Sequence, residues 1–377
     1  MDESISGQWT GSAKSGDYCI ANINDRGDSI DGRVSVFERV IVNGEPLQIW
    51  TMAYFSGEMD TDIKISGSLA PPTLFWEDGN ILTPEQRAKL EVDSQTIYPV
   101  QTNFSGEREG LYKLKVEWTS VYSNGQTQSD EAILEKKRLG SSKVFHQKMD
   151  WDEFKAFASG QEDGVIYRGQ ARHWRLRTSF HRTGQADLID YLDVKVPELE
   201  KHINAFSEHE FDTTEDRSLG RLLNLAQHHG YPTPLLDWTK SPFVAAFFAF
   251  VHKSSIKKGG SVSIFCFDDH KWSRVVGRQA QIRSPKPTVR NLELPGFGNQ
   301  RVLPQQSITM YSNADDIETI IKNNEQHPGQ YLTAIALPEE QRSKAIRDLH
   351  LMGITWGALF PGIEGVCKQL NIRHFGE

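Results

Sequence analysis

Three polar groups of this 377-residue chain stand where predicted strands end. Arg168 follows the apolar Val165-Ile166, and Thr239 and Ser241 follow the apolar Leu235-Leu236. A guanidinium stays charged and binds phosphate through two parallel hydrogen bonds. A strand that turns into a helix leaves backbone N–H groups free, and these can hold a phosphate or a ribose. The spacing therefore indicates a binding site for a phosphorylated ligand.

The elements that must position these groups are marked by capping and turn residues. A helix is expected to end at His228-His229-Gly230, and the turn Pro232-Thr233-Pro234 separates it from the strand that runs into Asp237-Trp238. Ser241 suits an N-cap, and Pro242 suits the first position of a helix. A helix, a turn, a strand and a second helix are therefore predicted in this order.

The first third of the chain has the pattern of a β-domain. Apolar and polar residues alternate in several stretches, most regularly over Leu111–Trp118, and Ser123-Asn124-Gly125 is typical of a hairpin turn. Only Pro84–Val92 has a helical pattern. Many short strands with turns between them predict a closed barrel or a sandwich over residues 4–135.

The remaining sequence mixes helical and strand patterns, so an α+β region is expected. A helix is predicted to start within 149–154, and further helices are predicted within 185–226, at 315–324 and at 338–350. Strands are predicted at 261–267, 330–337 and 357–360. The polar, basic Glu135–Ser142 separates the two patterns. We therefore predict two domains, over residues 1–138 and 144–377.

Composition narrows the class of protein. Hydrophobic residues make up 38% and charged residues 24%, which is typical of a folded globular chain. Three cysteines far apart favour a reducing compartment, and no apolar run approaches a membrane span, so a cytoplasmic protein without a membrane partner is expected. The His, Cys, Asp and Glu residues lack metal-ligand spacing, and no metal site is expected.

Five ordered motifs give the chain a resemblance to the FRG domain family, which is named for a Phe-Arg-Gly tripeptide. Tyr replaces Phe in this chain. The motifs are Tyr167-Arg168-Gly169-Gln170, Trp174 with Ser179-Phe180-His181-Arg182, Ala226–Pro242, Arg301–Gln306 and Leu359–Gly365. The resemblance covers about residues 144–377 and implies a bacterial or phage setting.

The β-rich part is not assigned to a family by its sequence. Its opening Ile5–Gly11 resembles the Gly-x-Trp start of lipocalin- and avidin-like barrels. Trp9 is expected to plug one end of such a barrel rather than to contact a ligand.

The order of the FRG motifs is similar to that of ADP-ribosyltransferases of the Arg-Ser-Glu type. This resemblance implies NAD as the substrate and a macromolecular acceptor, protein or nucleic acid. Glu364, near the strand predicted at 357–360, would stabilise the positive charge that develops as nicotinamide leaves. Arg168 would hold the pyrophosphate or ribose, and Ser241 or Thr239 would orient Arg168 and Glu364.

Two sets of site residues follow from this resemblance. The residues expected to act in catalysis are Arg168, Ser241 and Glu364. The residues expected to contact the nucleotide are Tyr167, Arg168, Gly169, Gln170, His228, Asp237, Trp238, Thr239 and Gln306, with Tyr167 or Trp238 stacking on nicotinamide.

Structural roles compete with several of these assignments. Arg168 could instead brace Asp237, and Asp237 itself is expected to cap or brace rather than to catalyse. His228 suits the end of a helix on electrostatic grounds alone. Gln306 could equally pin a loop, and Glu364 could be an exposed acid.

Two functions from different classes remain open. The first is an ADP-ribosyltransferase-like effector, such as a toxin or an anti-phage defence protein, with the β-domain as a sensor that binds a trigger ligand or protein. The second is a non-enzymatic module that binds a nucleotide or a protein. Glu364 discriminates between them: a side chain in the same cleft as Arg168 favours the enzyme, and one that faces solvent favours the binding module.

Overall fold

The computed structural model describes residues 4–60, 63–138, 140–161, 163–207, 210–251, 259–276, 282–292 and 300–375. The named strands fall into two sheets that share no strand. The first sheet ends at Lys136 and the second begins at His146, on either side of the predicted link.

The first sheet forms a closed antiparallel β-barrel, so the barrel alternative is confirmed and the sandwich is not. Eight strands follow one another around it, and the pairing of β3 with β4 completes the circle, while β6 lies beside β4. The strands are β1 (Gly7–Ala13), β2 (Tyr18–Asp25), β3 (Ser29–Val42), β4 (Glu45–Met59), β5 (Lys64–Leu69), β6 (Thr73–Trp76), β7 (Pro99–Arg108), β8 (Lys113–Tyr122) and β9 (Thr127–Lys136).

Alternation along these strands sends every second side chain into the barrel. At one end, Trp9 is fully buried with Ile5, Ile65 and Leu114, and its Nε1–H donates to the main-chain oxygen of Ile5 at 2.8 Å. Trp9 thus belongs to the apolar core, as its expected role as a plug requires. Helix α1 (Pro84–Ser94) lies between β6 and β7.

The second sheet has the strand order β10-β16-β13-β11-β12-β15-β14. Only β10 and β16 pair in parallel; the other neighbours are antiparallel. The strands are β10 (His146–Lys148), β11 (Val165–Gln170), β12 (Leu235–Thr239), β13 (Ser261–Asp268), β14 (Val289–Leu292), β15 (Ser307–Ser312) and β16 (Leu332–Pro338).

Helices cover both faces of this sheet, which makes the C-terminal region α+β. The helices are α2 (Trp151–Ser159), α3 (Ser179–Arg182), α4 (Leu188–Asp190), α5 (Val196–Asn204), α6 (Asp216–His228), α7 (Pro242–Phe250), α8 (Asp269–Val276), α9 (Ile317–Asn323), α10 (Arg342–Leu351), α11 (Trp356–Leu359) and α12 (Ile363–Phe375), with a π-helical turn at Tyr191–Lys195 and a 3₁₀ turn at Glu339–Gln341. Helices α2, α7 and α10 pack on one face, and α8 and α9 on the other.

The strand predicted at 357–360 is wrong, because this segment is the short helix α11. The Thr355 hydroxyl accepts a hydrogen bond from Ala358 N–H and caps the helix. The Gln369 side chain accepts from Gly357 N–H at 2.8 Å. These local partners replace the ladder bonds of a strand, and Glu364 consequently lies in the first turn of α12 rather than beside a strand.

The barrel wall contacts the C-terminal region through polar side chains. Arg33 of β3 donates to the Asp187 carboxylate at 2.6 Å, and only 2% of the Asp187 side chain is exposed. Gln8 of β1 donates to the main-chain oxygen of Asn313 and accepts from Asp315 N–H. None of the described helices combines the length and apolar character needed to cross a membrane.

Candidate functional site

The site is built where strands β11 and β12 separate. All six residues of β11 pair with β13, but β11 and β12 share only the pair Tyr167 and Thr239. Beyond that pair, the Arg168 guanidinium extends across the gap, and its Nη1 donates to the main-chain oxygen of Asp237 at 2.6 Å. The guanidinium therefore replaces the missing ladder bonds and is fixed at the mouth of the gap.

Asp237 is held from the other side by the end of helix α6. The Gln227 amide donates to the Asp237 carboxylate, and the Thr233 hydroxyl donates to the other end of the same amide. The Asp237 side chain is open to solvent yet surrounded by neighbouring groups, as on the floor of a cleft. Burial raises the pKa of this carboxyl, and Arg168 and the Gln227 hydrogen bond oppose the rise.

The cleft carries more positive than negative charge. Burial lowers the pKa of Arg168 to about 10, Asp237 opposes that shift, and Arg182 adds to it. Among the described residues, the Arg182 guanidinium has no hydrogen bond or ion pair, and the buried Nε of Arg168 has no partner. Two guanidinium groups thus face one carboxylate, with N–H donors still free for an anion.

Thr239 and Ser241 are engaged in holding the start of helix α7. The Ser241 hydroxyl accepts from Val244 N–H at 3.3 Å, as predicted for an N-cap followed by a proline. The Thr239 hydroxyl donates to the Gln305 main-chain oxygen at 2.6 Å and accepts from Ser241 N–H. Neither hydroxyl orients Arg168 or Glu364 here, because the helix and the 300–306 loop occupy them.

Gly169 lets helix α7 lie directly against strand β11. A Cβ atom at this position would lie 1.8 Å from the main-chain oxygen of Ala245. Any other residue would push the helix away from the sheet. The glycine of the motif is therefore explained by packing, and it fixes the position of Arg168 next to it.

The expected stacking by Tyr167 or Trp238 is not supported by their surroundings. Both residues are 2% exposed. Tyr167 packs under α7, and Trp238 packs on the opposite face of the sheet, 5.7 Å from the Phe267 ring. Tyr167 pairs with Thr239, and Trp238 precedes Thr239 on β12, so the two rings point to opposite faces of the sheet. Both rings are core residues and offer no open face to nicotinamide.

The two glutamines have loop-binding roles. The Gln170 amide donates to the Trp174 main-chain oxygen at 2.9 Å. Gln306 is exposed with a positive φ of 47°, and its main-chain oxygen accepts from Lys240 N–H at 3.0 Å. The side chain of its neighbour Gln305 donates to the Leu359 main-chain oxygen. These contacts tie the 300–306 loop to the end of β12 and to α11.

Glu364 stands with Arg301 near His228. Its carboxylate lies 3.1 Å from the Arg301 guanidinium, and 84% of its side chain is exposed. Burial and the Arg301 charge lower the pKa of His228, and Glu364 opposes that shift. Among the described residues, no hydrogen bond or ion pair joins Glu364 to Arg168 or Ser241. Glu364 thus faces solvent, which is the arrangement that favours the binding-module alternative.

Three residues of the site were not singled out from the sequence. Gln227 precedes the predicted site residue His228, Arg182 ends the motif Ser179-Phe180-His181-Arg182, and Arg301 opens the motif Arg301–Gln306. Their positions in the motifs are visible in the sequence, but their roles depend on which helix end approaches Asp237 and which loop approaches Glu364. That approach is set by tertiary packing.

Comparison with known proteins identifies part of this region. The sheet and its helices define an α+β domain in which charged and amide side chains gather at a split between two strands. Residues 163–258 match the family model of the FRG domain, so the chain contains an FRG domain. The matched segment includes Arg168, Gln227 and Asp237 and ends before Arg301 and Glu364.

Solved structures similar to another part of the chain include two redesigned β-barrels. The first has 12% identity and a TM-score of 0.19, with 36% of this chain and 92% of that chain covered. The second, bound to DFHBI, has 12% identity and a TM-score of 0.17, with 35% and 94% covered. Comparison with curated proteins gave no match.

Proposed function

We propose that the FRG domain binds NAD or a related nucleotide through its pyrophosphate in the cleft between β11 and β12. The observation that carries the proposal is the Arg168 guanidinium, held by Asp237 with a buried Nε–H that has no partner among the described residues. Arg182 adds a second guanidinium. Arginine donors suit phosphate oxygens, and the bond to Asp237 fixes the guanidinium before the ligand arrives.

Asp237 has an indirect role in this proposal. Its carboxylate would repel a phosphate, but it offsets part of the charge of two arginines that would otherwise repel each other. Gln227 holds the carboxylate and so keeps the negative charge away from the free donors. The ligand then meets a preorganised positive surface.

ADP-ribosyl transfer is the reaction that the motif order suggests for such a ligand. The bond between the ribose carbon and nicotinamide nitrogen breaks, nicotinamide leaves with the electron pair, and the acceptor forms the new bond while losing a proton. Glu364 is the expected carboxylate for charge stabilisation and for that proton. It would first have to leave Arg301, which requires α12 or the 300–306 loop to move. An effector role, as a toxin or in anti-phage defence, would rest on this activity.

A non-enzymatic nucleotide- or protein-binding module is the second candidate. It is favoured by the 84% exposure of the Glu364 side chain and by its pairing with Arg301. An exposed, paired carboxylate is a weak electrostatic partner for a charge that develops in the cleft. Both candidates need the Arg168 site, so the binding step is tested first.

The binding step is tested by calorimetry of the full chain with NAD and with ADP-ribose. Loss of a hydrogen bond to a charged group is worth about 1.5–3 kcal/mol, so Arg168→Ala should weaken binding ~10–150-fold. The matched control is Arg217→Ala, an exposed arginine on α6. Equal affinities in wild type and Arg168→Ala, or no binding by either, would remove the nucleotide proposal.

The reaction is tested by nicotinamide release in a single turnover, with lysate as the source of acceptor. Glu364→Gln should lower the rate at least ~100-fold and leave the dissociation constant of NAD within about threefold, because the charge acts mainly in the transition state. Glu340→Gln serves as the control. Binding of NAD without nicotinamide release or labelled acceptor would favour the binding module.

A further inference from the structure

The barrel contains a large internal cavity that the FRG domain does not share. Its volume is about 930 Å³, and it is lined by inward-facing side chains of the barrel strands, by the 95–98 segment that follows α1, and by loop residues between strands, such as Asp17 and Gln126. The apolar body of the lining includes Phe55, Phe104, Val116 and Trp118. Cavities of roughly 300–1,000 Å³ with apolar walls and a few polar groups are typical of small-molecule sites.

The charged groups that line this cavity are all acidic. Three carboxylates line it, those of Asp17, Glu38 and Asp130, and the lining residues that the structure describes include no lysine, arginine or histidine. The Glu38 carboxylate accepts one hydrogen bond, from the Thr51 hydroxyl at 2.9 Å. Among the described residues it has no ion pair. Glu38 is only partly exposed to solvent. A carboxylate that is largely withdrawn from water and has no cation beside it is unfavourable, so a cationic partner would stabilise it.

A second polar group beside Glu38 also has unused bonding capacity. Tyr98 lines the cavity and is 5% exposed, and its buried hydroxyl has no partner among the described residues. By contrast, the Thr102 and Ser120 hydroxyls bond each other at 2.9 Å. Glu38 and Tyr98 thus both have bonding capacity that a ligand in the cavity could use.

We propose that the barrel cavity binds a small organic cation, an amine or amidine on an aromatic or branched apolar body, with its charged end on Glu38. The apolar body lies against Phe55, Phe104 and Trp118 in the interior. The hydroxyl of Tyr98 is then available to a hydrogen-bond acceptor on the same ligand. This site is independent of the nucleotide proposal, because the two sites share no residue.

Other ligand classes fit the cavity less well. An anionic ligand, such as a fatty acid, would add its charge to those of three carboxylates. A neutral apolar ligand would fill the interior but would leave Glu38 without a partner. A bare metal ion lacks a ligand cluster, because no three His, Cys, Asp or Glu groups come together to hold a metal among the described residues.

Binding of a cation should depend on pH in a defined way. Burial raises the pKa of Glu38 to about 7, Asp17 adds to the rise, and the Thr51 hydrogen bond opposes it. Burial also raises the pKa of the neighbouring groups Cys19, Tyr98 and Tyr122, which therefore stay neutral between pH 5.5 and pH 8. A cation needs ionised Glu38, so affinity should rise as pH increases through about 7 and then level off.

The test is calorimetry of the full chain with ligands that share an indole body and carry a cationic, a neutral or an anionic end. Tryptamine is the cationic probe, and 3-ethylindole and indole-3-propionate are its neutral and anionic counterparts. Phenethylamine and 1-pyrenemethylamine extend the range of body size. We expect the wild type to bind at least one amine, tryptamine at least 10-fold more tightly than 3-ethylindole, and all amines more tightly at pH 8 than at pH 5.5.

Matched variants assign the effect to the cavity. Glu38→Gln should weaken the best amine at least 10-fold and remove the pH dependence. Glu58→Gln, the same change on an exposed residue of β4, should change neither. The proposal is overturned if none of the three amines binds at millimolar concentration, if the neutral and cationic indoles bind equally, or if Glu38→Gln retains full affinity.

Discussion

The barrel cavity and the Arg168 cleft of the FRG domain are built in opposite ways. The barrel encloses about 930 Å³ of open space and leaves Glu38 without a cation. In the FRG domain, the backbone of β11 is pressed against α7 so closely that Gly169 has no room for a Cβ. There, Asp237 is surrounded by Arg168, Arg182 and Gln227.

This difference separates two ways of building a binding site. In the FRG domain, tight packing holds a charged network whose geometry is fixed before any ligand binds. In the barrel, the hydrogen bonds between strands hold the wall, so the interior can stay open. The wall can therefore carry the Glu38 carboxyl although no cation stabilises its ionised form. The four changes below test the contrast, in order of decreasing effect.

Gly169→Ala should have the largest effect. The added Cβ would overlap the Ala245 main-chain oxygen at 1.8 Å, and backbone cannot move as freely as a side chain. We expect a loss of about 3 kcal/mol or more, at or above the upper end of the usual range for overpacking. Hydrogen exchange of the α7 amides measures it. The control Gly160→Ala, whose Cβ would be 3.7 Å from its nearest neighbour, should cost within about 0.5 kcal/mol.

Glu38→Gln should stabilise the barrel at high pH. The folded pKa of Glu38 lies at about 7, above the ordinary 4.5, so the folded state binds the proton more tightly than the unfolded state. Wild-type stability should therefore fall as pH rises from about 4.5 to about 7, and the glutamine variant should lack this loss. After allowance for solvent in the cavity, the gain at pH 8.5 is about 1–2 kcal/mol.

Calorimetry of the full chain at pH 5.5 and pH 8.5 checks this prediction. The difference between variant and wild type should grow with pH, and Glu58→Gln should show no such growth. A difference that is the same at both pH values would mean that Glu38 is not held as an unpaired acid.

Asp237→Asn should strengthen anion binding in the FRG domain. The amide can still accept from Gln227, but two guanidinium groups lose the carboxylate that offsets them. We expect inorganic pyrophosphate to bind about fivefold more tightly, on the order of 1 kcal/mol. Titration at two salt concentrations measures it, with Asp163→Asn as the exposed control. Weaker binding would show that Asp237 itself holds the ligand.

Ala53→Val should have the smallest effect. Ala53 lines the barrel cavity, so two added methyl carbons enter open space rather than packed atoms. We expect a change in the free energy of unfolding within about 0.5 kcal/mol. Gly169→Ala, which adds only one carbon, should cost much more because that carbon meets packed backbone. Thermal unfolding of the full chain measures it. A cost above ~1.5 kcal/mol would show that the interior is packed at this point.

The sequence predicted the elements that depend on local pattern. Strand alternation from Tyr18 to Leu134 indicated the barrel, and Ser241-Pro242 marked the start of α7 because capping chemistry is local. The pattern of alternating apolar and polar residues did not predict that the barrel closes, since the strands of a sandwich show the same alternation. It depends on the long-range pairing of β3 with β4.

The site was predicted less completely than the fold. Arg168 and Asp237 do lie together, but through a main-chain oxygen that no residue pattern specifies. Tyr167 and Trp238 looked like stacking rings, yet burial depends on which helices cover each sheet face. Glu364 was expected near a strand at 357–360, but Thr355 caps this segment as a short helix, and Glu364 lies in the first turn of the next helix.

The closure of the barrel also determines how the chain tolerates truncation. The eight strands of the closed circle each pair on both sides, and only the short β6 lies outside it. The described C-terminal sheet ends in two short strands, β10 and β14, the first wholly exposed and polar. Short polar edges resist pairing with other molecules. Removal of β1 would open the barrel and expose β2 and β9, which are 8 and 10 residues long, as templates for aggregation.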